Sequence, residues 1–141
     1  MEETAKKFMD VFSGLERAHG VYEITGQKNT AKGIKRDGRG RTLQEPLTLD
    51  LWKQHLAGKM SIGVVPLKDD ETCKWGCIDV DEYPINTESI LATIKEMSLP
   101  LVPCMTKSGG VHLFLFTNQP IPAFKMQGKL EEMAAAMGRT G

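Results

Sequence analysis

Two aspartates inside an apolar segment constrain the fold of this chain more than any other feature. The segment Trp75–Asp81 reads as a buried strand, yet it carries Asp79 and Asp81. Because side chains alternate across a strand, we expect the two carboxylates to share one face, about 7 Å apart, with Ile78 and Val80 on the other. Like charges at this distance repel each other, and each requires a compensating charge.

A hard divalent cation would supply that charge. Mg²⁺ is bound in proteins by carboxylate oxygens, and it keeps open coordination positions for water or phosphate. The pattern therefore indicates that Asp79 and Asp81 are ligands of Mg²⁺ or Mn²⁺, which would also hold the phosphates of a nucleotide. The alternative is a pair of ordinary surface carboxylates, because a D-x-D pattern alone is a weak signal.

A second cluster lies about 30 residues further on, in the run Lys107-Ser-Gly-Gly-Val-His112. The backbone N–H groups of Gly109 and Gly110 can hold an anion, and Ser108 and Lys107 add a hydroxyl and a cation. His112, on the strand that follows, can donate to a phosphate oxygen. The alternative is a simple hairpin turn followed by a structural histidine. A strand, helix, strand, turn and strand in this order would bring both clusters to one sheet.

Charge is unevenly distributed, although the 141 residues contain 18 basic and 18 acidic side chains and the net charge is zero. The segment 25–41 is rich in glycine and basic residues and has no apolar period, which predicts a flexible loop or arm. We expect it to bind nucleic-acid phosphates, the alternative being a solvated loop. Its candidate residues are Lys28, Lys32, Lys35, Arg36, Arg39 and Arg41.

Composition bounds the class of protein. The length and the 40% hydrophobic content fit one globular domain over residues 1–141, and no apolar run is long enough for a membrane helix. The N-terminus is charged from its second residue, unlike a signal peptide. Three cysteines, Cys73, Cys77 and Cys104, favour free thiols in a reducing cytoplasm. A zinc site built from them is a minor alternative, because their spacing is a loose match.

Local patterns predict an α+β fold, with helices packed on a mostly antiparallel sheet. The predicted helices are 3–16, 48–56, one capped by Asn86 or Thr87, and 124–137. The predicted strands are 20–25, 61–67, 73–81, 101–106 and 111–117, with 61–67 and 73–81 forming a hairpin.

Two longer runs resemble a known family. HLAGKMSIGVVPLKDDETCKWGCIDVDEYP and LPLVPCMTKSGGVHLFLFTNQPIPA are similar to the catalytic core of the archaeo-eukaryotic primase superfamily, in particular to primase-polymerases of phages and mobile elements. The first motif of that family, h-D-h-D, is matched by Ile78–Asp81. The second, a serine and a histidine around glycines, is matched by Ser108–His112. The resemblance covers roughly residues 15–137.

The resemblance implies an RRM-like, mostly antiparallel sheet and a DNA primase or polymerase activity that transfers nucleotides. Asp79 and Asp81 would hold Mg²⁺ or Mn²⁺ in the two-metal scheme. Ser108 and His112 would contact the triphosphate of the incoming nucleotide, with Lys107 as a further contact. The implied partners are nucleoside triphosphates, a single-stranded or primed DNA template, and a helicase.

One family feature is unmatched. The third motif is a carboxylate on a later strand, whereas Glu131 and Glu132 lie on a predicted helix. The chain therefore resembles the N-terminal part of the catalytic core, and its metal site is expected to be incomplete on its own. Two alternatives stay open. One is a non-catalytic module that binds nucleic acid or nucleotide, and the other is a metal-dependent nuclease using Asp79, Asp81 and Lys107.

Overall fold

The computed structural model describes residues 1–31 and 33–139, and it divides the chain into two compact units. The first unit spans Met1–Asp69 and the second Asp70–Gly141. Within the described residues, no helix is both long enough and apolar enough to cross a membrane.

The first unit combines two helices with a three-stranded antiparallel sheet. Its strands lie in the order β2-β1-β3, so the short third strand pairs with the first. The elements are α1 Glu2–Val11, β1 His19–Thr30, β2 Gly33–Leu43, α2 Leu49–Leu56 and β3 Ser61–Gly63.

Aromatic rings hold the two helices of the first unit together. The Trp52 ring centroid lies 6.0 Å from that of Phe8 and 6.2 Å from that of Phe12. Trp52 is buried, as is His19, whose Nδ1 donates to the Glu45 carbonyl oxygen at 2.7 Å. This pairing satisfies the imidazole and makes His19 a structural residue.

The basic segment is not the loop that its composition predicts. Residues on both sides of Ala31 form a long antiparallel β-hairpin, in which Lys28 pairs with Lys35 and Glu23 with Arg39. Antiparallel pairing satisfies the backbone N–H and C=O groups of the hairpin even though its side chains have no apolar period. The sequence pattern therefore gave no sign of a hairpin. Lys32 lies outside the described residues.

The second unit packs two helices on a second antiparallel sheet, with strand order β4-β6-β5. Its elements are β4 Thr72–Val80, α3 Thr87–Glu96, β5 Val102–Met105, β6 Val111–Pro122 and α4 Ala123–Ala136. Alternate residues of β6, among them Val111, Leu113 and Leu115, are buried in the core of this unit together with Met126 and Met133 of α4.

A glycine allows α4 to approach the sheet closely. A Cβ atom added at Gly76 of β4 would lie 2.7 Å from Leu130 Cδ1 and 2.8 Å from Met126 Cγ. Both atoms belong to side chains of α4, so a side chain at position 76 would displace those of Leu130 and Met126. The helix therefore covers one face of β4, and the Asp79 side chain lies exposed outside this core.

The α+β class predicted from the sequence is confirmed, but two details of the sheet differ. The strands form two sheets instead of one. The predicted hairpin between Ser61–Leu67 and Cys73–Asp81 is wrong, because β3 pairs with β1 and β4 pairs with β6.

Helix starts were predicted more accurately than strand partners. Thr48 Oγ1 accepts the Leu51 N–H, and Asn86 Oδ1 accepts the Ser89 N–H. The first helix ends at Val11, five residues earlier than predicted, and Leu15 N–H donates instead to the Val65 carbonyl. A cap is a local signal, whereas the Leu15 hydrogen bond joins residues 50 positions apart in the sequence.

Candidate functional site

The two candidate clusters meet on neighbouring strands of the second unit. Asp79 on β4 is directly opposite His112 on β6, and His112 Nε2 lies 3.5 Å from Asp79 Oδ1. Both side chains are substantially exposed, at 64% for Asp79 and 41% for His112. The expectation that the aspartate strand and the histidine strand share one sheet is therefore met, with a carboxylate and an imidazole available to a ligand.

Asp81 lies just beyond the end of the strand. β4 ends at Val80, and Asp81 is exposed at the start of the loop that leads to α3. The expectation that Asp79 and Asp81 share one face depends on strand alternation. Because the strand ends at Val80, that argument does not extend to Asp81.

The segment Thr106–Gly110, which we call the glycine turn, joins β5 to β6. Thr106 N–H donates to the Gly110 carbonyl at 2.9 Å, and Gly109 N–H donates to the Thr106 carbonyl at 3.1 Å. Gly109 has a φ of +84°, a conformation that glycine adopts without strain. The turn is therefore closed by its own backbone, and it presents Ser108 and Lys107 at its tip.

Both glycine amides, which the sequence offered as anion contacts, form hydrogen bonds inside the turn. Gly109 N–H is bonded to the Thr106 carbonyl, and Gly110 N–H donates to Thr106 Oγ1 at 2.9 Å. An anion at this turn would therefore meet the Ser108 hydroxyl and the Lys107 ammonium before any glycine N–H. Sequence reasoning did not single out Thr106, whose hydroxyl accepts from a backbone N–H four residues further on.

The loop after the aspartates is held close to the glycine turn. A Cβ atom added at Gly110 would lie 3.2 Å from the Tyr83 hydroxyl and 3.3 Å from the Val80 carbonyl oxygen. Arg139, beyond the end of α4, pairs with Glu82 at 3.3 Å. Neither Tyr83 nor Arg139 was singled out by sequence reasoning, because no local pattern connects them to the site.

Cysteines flank the Asp79–His112 pair. Cys104 on β5 is directly opposite His112 and exposed, while Cys77 is half-buried on β4. Burial, and to a lesser extent the nearby Asp79 carboxylate, raises the pKa of the Cys77 thiol to about 11. The thiol therefore stays protonated at neutral pH in the metal-free protein.

The donor set of the second unit suits a hard cation only in part. Asp79 and Asp81 are exposed carboxylates of the kind that bind Mg²⁺ together with phosphate oxygens. Across residues 1–31 and 33–139, however, no three acidic, cysteine or histidine side chains come together as metal ligands, so the zinc alternative gains no support. Glu131 instead accepts a hydrogen bond from Gln127, and Glu132 pairs with Lys129 within α4.

The hairpin of the first unit concentrates positive charge on one face. By strand alternation, Lys28, Lys35, Arg39 and Arg41 share a face and Arg36 lies on the other. Arg41 pairs with Glu23 at 3.1 Å and Lys28 with Asp37 at 3.4 Å. Among the described residues, Lys35, Arg36 and Arg39 form no such ion pair, so the hairpin keeps excess positive charge.

Comparison with known families gives one match that spans nearly the whole chain. Residues 4–138 match the family described as TOTE conflict system, Archaeo-Eukaryotic Primase domain. No curated protein matches the chain.

Proposed function

The chain belongs to the archaeo-eukaryotic primase family of the TOTE conflict system, and from this premise we propose that it binds a divalent metal and a nucleoside triphosphate beside the Asp79–His112 pair. In this proposal it is a nucleotidyltransferase core that acts on a DNA template. The observation that carries the proposal is the 3.5 Å approach of His112 Nε2 to Asp79 Oδ1. This approach brings Asp79, the proposed metal ligand, and His112, the proposed phosphate contact, together on one face of the sheet.

Asp79 and Asp81 would hold Mg²⁺ or Mn²⁺, and archaeo-eukaryotic primase domains generally depend on divalent metals. When bound, the metal neutralises phosphate charge and lowers the pKa of the attacking 3′-hydroxyl. The protein's own contribution is to keep the two carboxylates exposed and to hold Asp79 rigidly within the β4–β6 pairing.

The glycine turn and β6 would hold the triphosphate. Ser108 donates its hydroxyl and Lys107 contributes a positive charge at the tip of the turn. Gly109 and Gly110 shape the turn through their bonds to Thr106. His112 donates an imidazole N–H from a strand whose neighbouring residues Val111 and Leu113 are buried. A donor on such a rigid support positions the phosphate at little entropic cost.

The basic hairpin would bind the phosphates of the template strand. Lys28, Lys35, Arg36, Arg39 and Arg41 supply the positive charge there, together with Lys32, for which the structure gives no description. Such contacts depend on salt concentration and are independent of sequence, as a primase template requires.

A second candidate function is a binding module that does not turn over. It is favoured by the engagement of Glu131 and Glu132 within α4, which provides no third carboxylate to Asp79 and Asp81. A nuclease using Asp79, Asp81 and Lys107 is a third, weaker candidate, because hydrolysis also needs a positioned water.

One assay separates these functions. The 141-residue chain is incubated with Mn²⁺ and primed single-stranded DNA, with and without deoxynucleotides. Extension supports the nucleotidyltransferase, cleavage supports the nuclease, and retention of nucleotide without product supports the binding module. If Asp79→Ala/Asp81→Ala protein behaves like the wild type, the proposed site is wrong.

A further inference from the structure

The Thr106 side chain lies within the glycine turn, where it hydrogen-bonds to Gly110 and contacts Ser108. Its Oγ1 accepts the Gly110 N–H at 2.9 Å and lies 3.2 Å from Ser108 Oγ. The carbonyl of the same residue accepts the Gly109 N–H. Thr106 thus uses its backbone and its side chain to satisfy both glycine amides and to contact the serine.

Proton counting fixes the direction of the Thr106–Ser108 hydrogen bond once an anion is bound. A serine hydroxyl has one proton, so when Ser108 donates to a phosphate oxygen it must accept from Thr106. Thr106 can donate its own proton to Ser108 while its oxygen accepts the Gly110 N–H, because a hydroxyl both donates and accepts. The result is a chain of donors that runs from Gly110 N–H through Thr106 and Ser108 to the phosphate.

From this arrangement we propose that Thr106 is a positioning residue that orients and polarises the Ser108 hydroxyl toward the nucleotide's phosphates. Hydrogen bonds arranged in series strengthen one another, so the Ser108 hydroxyl becomes a better donor than an isolated serine. The inference rests on the proposed function, because it needs a phosphate at Ser108. In this arrangement the Gly110 N–H begins the donor chain, and the Gly109 N–H closes the turn through the Thr106 carbonyl.

The test compares Thr106→Val, which keeps the shape but removes the hydroxyl, with Thr106→Ser, which keeps the hydroxyl. Affinity for ATP with Mn²⁺ is measured by calorimetry, with inorganic tripolyphosphate and Mn²⁺ as a second probe. We expect T106V to weaken both probes about five- to tenfold, the loss of roughly one hydrogen bond, and T106S to retain affinity. Equal losses of affinity for ATP and for tripolyphosphate would show that Thr106 acts on phosphate binding.

A double-mutant cycle with Ser108→Ala distinguishes positioning from a general effect on the turn. If Thr106 acts through Ser108, T106V costs no further affinity in an S108A background. Additive losses, or T106V affinity equal to wild type, would overturn the inference while leaving the proposed function intact. Wild-type protein that fails to bind either probe would overturn the proposed function, and the inference with it.

Folding of the variants is checked by thermal melting. If T106V melts at a lower temperature, Thr106→Ala replaces it in the cycle, because alanine removes the hydroxyl without placing a second methyl group beside Ser108. The inference is supported if T106A loses affinity while T106S does not, and if T106A costs no further affinity in an S108A background. An unchanged T106A affinity contradicts it.

Discussion

His112 Nε2 lies 3.5 Å from Asp79 Oδ1 across a directly paired position of β4 and β6. The two residues are 33 positions apart in the sequence, and each lies in a different one of the two candidate clusters. A cation on the carboxylate and a phosphate on the imidazole would therefore be neighbours, as a metal–nucleotide complex requires. Metal binding and phosphate binding are expected to depend on each other at this site.

Removing the carboxylates should abolish metal-dependent nucleotide binding. We expect Asp79→Ala/Asp81→Ala to show no detectable affinity for ATP with Mn²⁺ by calorimetry, because both carboxylates proposed to hold the cation are lost. Stability of the metal-free protein should be unchanged or slightly higher, since the change removes two like charges. Glu96→Gln, an exposed carboxylate at the end of α3, is the matched control and should bind as wild type.

Charge on the hairpin should set the salt dependence of DNA binding. Arg36→Gln/Arg39→Gln should lower the slope of log affinity against log salt by about 1.4, because each phosphate contact on single-stranded DNA contributes roughly 0.7. The measurement is fluorescence anisotropy of a labelled oligonucleotide at several salt concentrations. Lys6→Gln/Lys7→Gln in α1 makes the same charge change, and an equal effect there would show that only net charge matters.

Cysteine reactivity should follow exposure and the raised pKa of Cys77. At pH 8 we expect iodoacetamide to label exposed Cys104 well before half-buried Cys77 or buried Cys73, measured by mass spectrometry of peptides. Labelling of Cys77 should accelerate only as the pH approaches about 11, where its thiolate forms. Rapid labelling of Cys77 at pH 8 would contradict the structure around β4.

The same raised pKa makes a stability prediction. The folded protein favours the neutral Cys77 thiol, whose ordinary pKa is 9.0, over the thiolate. The stabilisation is therefore complete below pH 9 and is lost as the pH rises toward 11. Urea unfolding at pH 8, 9 and 10 should show Cys77→Ser losing less stability over this range than the wild type. Identical pH profiles would argue against a buried thiol at this position.

Two glycines should respond oppositely to alanine. Gly109 has a φ of +84°, so Gly109→Ala should destabilise the second unit by about 1–2 kcal/mol. Gly128 lies within α4, and a Cβ there would meet no atom within 4 Å, so Gly128→Ala should stabilise by about 0.5–1 kcal/mol. Urea denaturation measures both changes, and a stabilising Gly109→Ala would contradict the turn geometry.

The sequence was most informative where the signal is local. The caps at Thr48 and Asn86, the helix that ends the second unit, and the turn around Ser108 all follow from patterns of a few neighbouring residues. The basic segment shows the limit of composition: its lack of apolar periodicity predicts a loop, whereas backbone pairing makes it a hairpin.

The sequence by itself determined which residues are candidates for the chemistry, Asp79, Asp81, Ser108 and His112, and that they belong to an α+β fold. Only the tertiary structure decided which strands pair, that Asp79 faces His112, and that both glycine amides of the turn donate to Thr106. The physical reason for the strand pairing is that the competing partners of a strand are distant in sequence, so no local window of residues contains them.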